Sequence, residues 1–147
     1  MKSRVLRAAI FVVPVFVLGL VAACTSYQAS GLSGGFSETR LSQTSYQVYF
    51  RGNTYTSPAR VEKFVLRRAA ELALENGFRY FVLDLPQNLD RNDFFGQYSQ
   101  RGITVRFVEA ATTDSADAVV VIQDTDALAG GRLSDKAREA LKKFQGN

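Results

Sequence analysis

The chain of 147 residues holds a single cysteine, Cys24, at the end of an uncharged run from Ala8 to Ala23. No other feature restricts the fold as much. A lone thiol closes no intrachain disulfide, so whatever folds after it is held by burial and hydrogen bonding. Lys2, Arg4 and Arg7 precede the run, and no acid occurs before Glu38. Ile, Phe, Val and Leu dominate inside it, and Ala22 and Ala23 stand just before the cysteine. Positive, apolar and small-residue segments in this order form a secretory targeting signal. The alternative is an uncleaved membrane helix. The run is shorter than the roughly 20 residues a span requires, and Pro14 in its middle weakens a permanent helix.

The tetrapeptide Val21-Ala22-Ala23-Cys24 resembles the lipobox of bacterial lipoproteins. In that family the cysteine thiol takes a diacylglycerol, the preceding peptide bond is cut, and the new amino group is usually acylated. The resemblance implies lipidation at Cys24, removal of residues 1–23 as a signal peptide, and a mature chain with no free thiol. One acyl chain anchors marginally, but about 0.8 kcal/mol per buried methylene makes two or three chains a lasting anchor. In these lipoproteins an Asp after the cysteine commonly marks inner-membrane retention. Thr25 stands there instead, which implies the outer membrane in preference to the inner one.

The net charge of +4 and pI of about 9.4 suggest a nucleic-acid or anionic partner at first sight. Three of the 18 basic residues lie in the signal, against 14 acids that all lie beyond it. The remainder is therefore near neutral, and no nucleic-acid partner is expected.

"TSYQASGLSGG" after the cysteine is uncharged and rich in Ser and Gly, so residues 24–35 read as a flexible, lipidated tether. Residues 36–147 read as one domain. "FSETRL" and "YQVYFR" form a hairpin across "SQTS", with Tyr46, Val48 and Phe50 on one face. Ser57 as cap and Pro58 at the first position open a long helix that Gly77 ends. Its apolar stripe is Val61, Val65, Ala69, Leu72 and Ala73, with Arg60, Lys63, Arg67, Glu71 and Glu75 largely on the opposite, solvated side. "FRYFVLDL" and "ITVRFVEA" follow as strands. "AVVVIQ" is expected as a fifth strand and "DTDALAGG" as a loop. Ser134 caps a C-terminal helix with Ala137, Ala140, Leu141 and Phe144 on one stripe. The expected class is α+β, order ββαβββα. It has a mixed or mostly antiparallel sheet of about five strands, the long helix across one face and a C-terminal helix.

Three further stretches carry a resemblance. They are Ser37-Glu38-Thr39-Arg40, then Phe50-Arg51-Gly52-Asn53 with Tyr55, Thr56 and Ser57, and Arg68-Ala69-Ala70-Glu71-Leu72 leading into Gly77-Phe78-Arg79-Tyr80-Phe81. Together with the signal they resemble a family of small alphaproteobacterial envelope lipoproteins, over about half the chain. The resemblance implies an α+β lipoprotein of the cell envelope and implies no activity.

No histidine occurs, which removes His-dependent nucleophile systems and the usual zinc and copper sites. Asp84, Asp90 and Asp93 offer carboxylates near one loop, as a hydrolase would need, or simply solvate turns. Asp124, Asp126 and Asp135 take the first, third and twelfth places of a calcium-loop spacing, but Leu128 and Ala129 occupy places that need an oxygen ligand and a glycine. No metal or other cofactor is expected. Arg60, Lys63, Arg67 and Arg68 form either a basic patch or a solvated helix face partly paired by Arg67 with Glu71. Tyr46, Tyr49, Tyr55, Tyr80 and Tyr98 read as sheet packing. The reading is a non-enzymatic envelope lipoprotein, joined to the membrane by its anchor and to envelope proteins by its surface. A binding module for a small ligand or envelope polymer, using the 86–102 loop, is the alternative, and a carboxylate-dependent hydrolase the third.

Overall fold

Residues 27–29, 35–51, 56–85 and 102–146 are described by a computed structural model of the chain. Cys24, Tyr55, Asp90, Asp93 and Tyr98 lie outside them. Tyr46, Val48 and Phe50 alternate with polar neighbours along β2 (Ser45–Arg51), which pairs antiparallel with β1 (Gly35–Arg40) as the expected hairpin. The long helix α1 (Pro58–Glu75) starts as the sequence requires: Ser57 Oγ accepts from the Arg60 amide and Pro58 sits in the first turn. After the cap residue Asn76, Gly77 takes a φ of 84°, a conformation costly for any residue with a Cβ. The chain then turns into β3 (Tyr80–Asp84), and β4 (Ile103–Val108) follows.

The sheet runs β1-β2-β4-β3-β5 and every pairing is antiparallel. β2 and β3 flank β4 and point the same way, so β2, α1 and β3 form a βαβ unit split by a later strand. Val48, Phe50, Phe81, Ile103, Val105 and Phe107 form the buried face. α1 crosses this face, with Phe64 against Phe50 at 5.1 Å between ring centres.

The architecture is α+β as expected, but the last third differs from the sequence reading. "AVVVIQ" is not a strand. It opens helix α2 (Ala118–Ala129), which also takes in most of the expected "DTDALAGG" loop. The fifth strand is the two-residue β5 (Ala116–Asp117), paired with β3. Asp117 then caps α2, its carboxylate accepting from the Val119 amide at 2.9 Å. The buried residues Ala118, Ile122, Thr125 and Ala129 recur at helical spacing. The strand preference of Val119, Val120, Val121 and Ile122 is thus overridden by a cap at one end and a packing stripe along the helix. Helix α3 (Asp135–Gln145), capped by Ser134, lays Ala137, Ala140, Leu141 and Phe144 on the core.

Both α2 and α3 pack on α1, which becomes the middle of three layers between the sheet and the two later helices. From Arg67 to Leu74 every residue of α1 but Arg68 is buried. Tyr27, which the sequence reading places in a flexible stretch, is 5% exposed and belongs to the core.

Leu72 is 3% exposed in this middle layer. Leu72→Ala is expected to lower stability by about 2–5 kcal/mol through lost burial and a residual cavity. Val120→Thr, at an exposed position of α2, should change it by about 0.5 kcal/mol or less. Urea titration of the purified variants measures both, and equal effects would mean that the layer assignment is wrong.

Candidate functional site

A helix with neighbours on both sides buries whatever its sequence places on its polar stripe. Helical spacing puts Arg67 and Glu71 on the solvated side, yet they are 1% and 4% exposed. The i,i+4 pairing itself holds: Arg67 Nε donates to Glu71 Oε1 at 2.9 Å. The rest of the guanidinium reaches across to the later helices. Nη1 donates to the Ile122 carbonyl at 2.9 Å and to Thr125 Oγ1 at 3.4 Å, and lies 3.5 Å from Asp126 Oδ1. Nη2 donates to the Arg132 carbonyl at 2.8 Å. A buried guanidinium needs this many acceptors because its donors point in fixed directions.

The network continues on the other side. Glu71 Oε2 accepts from the Tyr27 hydroxyl and from Arg68 Nη1 at 3.0 Å. Arg68 holds Glu38 of β1 with two bonds of 2.7 and 3.3 Å, and its guanidinium carbon lies 4.8 Å from the centre of the Phe36 ring. Glu75 is half-buried, 3.7 Å from Arg68, and accepts from Ser134 Oγ, the cap of α3, at 2.7 Å. Burial, then the charge of Glu71 and the hydrogen bond to it, raises the Tyr27 phenol well above its ordinary range. Burial disfavours the Arg68 cation, but the hydrogen bond and charge of Glu38 outweigh it and raise its pKa.

The four basic residues of α1 form neither one basic patch nor one solvated face. Arg67 and Arg68 belong to this network, Arg60 lies over the Phe64 ring at 5.4 Å, and Lys63 is exposed. The calcium-loop acids are also separated in role. Asp124 and Asp126 sit within α2, and Asp135 in the first turn of α3 pairs with Arg138 at 2.6 Å. Among the described residues no three His, Cys, Asp or Glu side chains are grouped to hold a metal ion. Asp84, at the end of β3, pairs with Arg106 of β4 at 3.1 Å; Asp90 and Asp93 are outside the described residues. Of the tyrosines, Tyr46 packs on Phe107 at 5.6 Å, while Tyr49 faces the opposite side of the sheet and is exposed. There its ring lies 2.7 Å from where a Cβ at Gly102 would stand, so any larger residue at 102 requires the ring to move.

A cleft of about 750 Å³ opens beside the Asp84–Arg106 pair, with Leu66, Val82, Leu85 and Asp114 in its lining. It lies at the C-terminal end of β3. Tyr27 was missed from the sequence as a member of any site. Its signal is faint: an aromatic residue in a stretch of small and polar ones. No protein-family model, curated protein or solved structure matches the chain.

Arg67→Ala is expected to cost about 3–5 kcal/mol, because the buried Glu71 loses one of its two arginines and the Ile122 and Arg132 carbonyls lose their donor. The double replacement Arg67→Met with Glu71→Leu should cost less, since both members of the buried ion pair are removed together. Urea titration of the three chains separates these outcomes. A second expectation concerns alkaline pH. The unfolded chain releases the Tyr27 proton near pH 10, while the folded one retains it, so the folded state binds more protons. Stability from this group is full below about pH 10 and falls above it by up to about 1.4 kcal/mol per pH unit. Tyr27→Phe should be less stable at neutral pH, having lost the Glu71 bond, and should show a shallower decline above pH 10.

Proposed function

We propose that the chain is a membrane-anchored bacterial lipoprotein, lipidated at Cys24, whose periplasmic domain has a structural or interaction role in the cell envelope without an enzymatic step. The observation that carries this reading is the ordered series of Lys2, Arg4 and Arg7, the uncharged run Ala8 to Ala23, and Val21-Ala22-Ala23-Cys24. The state of the acids supports it. Glu71 and Glu38 are held by arginines within the fold, and Asp84 by Arg106, so their visible work is to join elements. The outer membrane is the preferred residence because Thr25, not Asp, follows Cys24.

A second reading has one observation in its favour. The cleft beside Asp84 and Arg106 combines a charged pair with the apolar Leu66, Val82 and Leu85, the mixture that small-ligand sites use. A ligand or envelope polymer bound there would make the protein a binding module with the same anchor.

Cys24→Ala should block lipid addition and leave a precursor uncut at this site. Mass spectrometry of the wild-type mature N-terminus is the direct measurement. The expected species begins with an acylated cysteine; an unmodified cysteine or an intact Met1 end overturns the reading. Sucrose-gradient fractionation should find the protein with outer-membrane markers, and exclusive recovery with inner-membrane markers would reverse that assignment.

A further inference from the structure

Tyr27 is only three residues beyond Cys24, and it is built into the core. Its ring lies 5.0 Å from Phe36 and 5.7 Å from Phe64, centre to centre, and its hydroxyl donates to Glu71. The backbone that follows is fixed too. The Phe36 amide donates to the Gln28 carbonyl at 2.9 Å, and Ala29 bridges to Phe36. Gly35 takes a φ of 128°, and a Cβ there would stand 2.5 Å from the Gln28 carbonyl oxygen and 2.7 Å from that of Ala29. The seat is thus prepared from both sides: an aromatic and ionic socket receives the side chain, and a glycine clears the way for the backbone.

We propose that this seat holds the domain flush against the bilayer, with the face around Tyr27, Arg132 and Leu133 turned to the phospholipid headgroups. The proposal rests on lipidation of Cys24. Three peptide steps reach at most about 11 Å, and a lipidated cysteine has its backbone at the headgroup level. A domain of this length is about 35 Å across. A stalk so much shorter than the body it carries fixes which face meets the membrane. A tether free up to Gly35 would reach about 40 Å and would leave every face equally available. The face selected in this way forms a shallow cleft of about 300 Å³ where Tyr27, Phe36, Leu133 and Arg132 meet. Arg132 is exposed there and offers a cation to headgroup phosphates.

The test uses the full acylated protein, purified from membranes and reconstituted into phosphatidylethanolamine–phosphatidylglycerol vesicles that carry a headgroup quencher. The only natural cysteine is the acylated one, so an introduced cysteine is labelled alone. One dye is placed at Ala29→Cys, an exposed position in the lining of the same cleft that leaves Arg132 in place. The other is placed at Thr112→Cys, in the loop before β5, at the sheet edge opposite β1 and about 19 Å across the strands from it. The dye at 29 should be quenched several-fold more than the dye at 112. Inserting about ten Gly and Ser residues between Ser26 and Tyr27 leaves the seat intact and lengthens the stalk by about 17 Å on average. It should abolish the difference without altering the melting temperature. Equal quenching of the two dyes in acylated, vesicle-bound protein overturns the proposal and leaves the anchor standing. A difference that survives the insertion overturns the stalk length as its cause. Absence of the acyl mass on Cys24, read before reconstitution, overturns the anchor and this proposal together.

Discussion

Arg67 is the point on which the three layers depend. Its guanidinium leaves α1 towards the later helices and meets a carboxylate, a hydroxyl and two backbone carbonyls, one in α2 and one in the connection to α3. A buried ion pair of this kind contributes little net stability against an apolar pair of the same volume. What it supplies is position. Apolar side chains let one helix slide and roll over another, whereas a planar fork accepts one arrangement of its partners. Glu71 extends the restriction to Tyr27, and Arg68 extends it to β1. Through two neighbouring arginines, elements far apart in the chain are registered on one helix.

Much of the fold is legible in the sequence where one residue's role depends on its near neighbours. Ser57 and Pro58 mark the start of α1, Gly77 its end, and the alternation of Ile103, Val105 and Phe107 the buried face of β4. Period and capping are local signals. Burial of Arg67 and Glu71 is not local. A polar stripe on an amphipathic helix signifies solvent unless a further layer covers it, and the covering layer here begins about fifty residues later. That layer was itself obscured. Val119, Val120, Val121 and Ile122 have the composition of a strand, and only the spacing of Ala118, Ile122, Thr125 and Ala129 behind the Asp117 cap tells of the helix.

The site divides in the same way. Cys24, the proposed lipidation residue, is conspicuous because a lipidation signal of the kind it resembles is a short linear sequence. Tyr27 is not, because its socket is assembled from Phe36, Phe64 and Glu71, which come together only in the folded chain. Glu75 looked like a solvent residue on the same reasoning as Glu71. Instead it receives the hydroxyl that caps α3, so the start of the last helix is tied to the end of the first.

The strand order has a consequence for how the molecule comes into being. β4 occupies the centre of the sheet, yet more than fifty residues separate it from β2, its neighbour on one side. A two-stranded ribbon such as β1–β2 has little stability alone, and pairing over such a separation is slow because the intervening chain must first be closed into a loop. Until β4 is inserted, β2 and β3 each present an unsatisfied edge and α1 has no complete floor. The first half of the chain therefore cannot fold ahead of the second. During synthesis, the nascent polypeptide stays open until its centre and its end have both emerged, so its sheet edges are exposed for longer than those of a fold built from neighbouring hairpins.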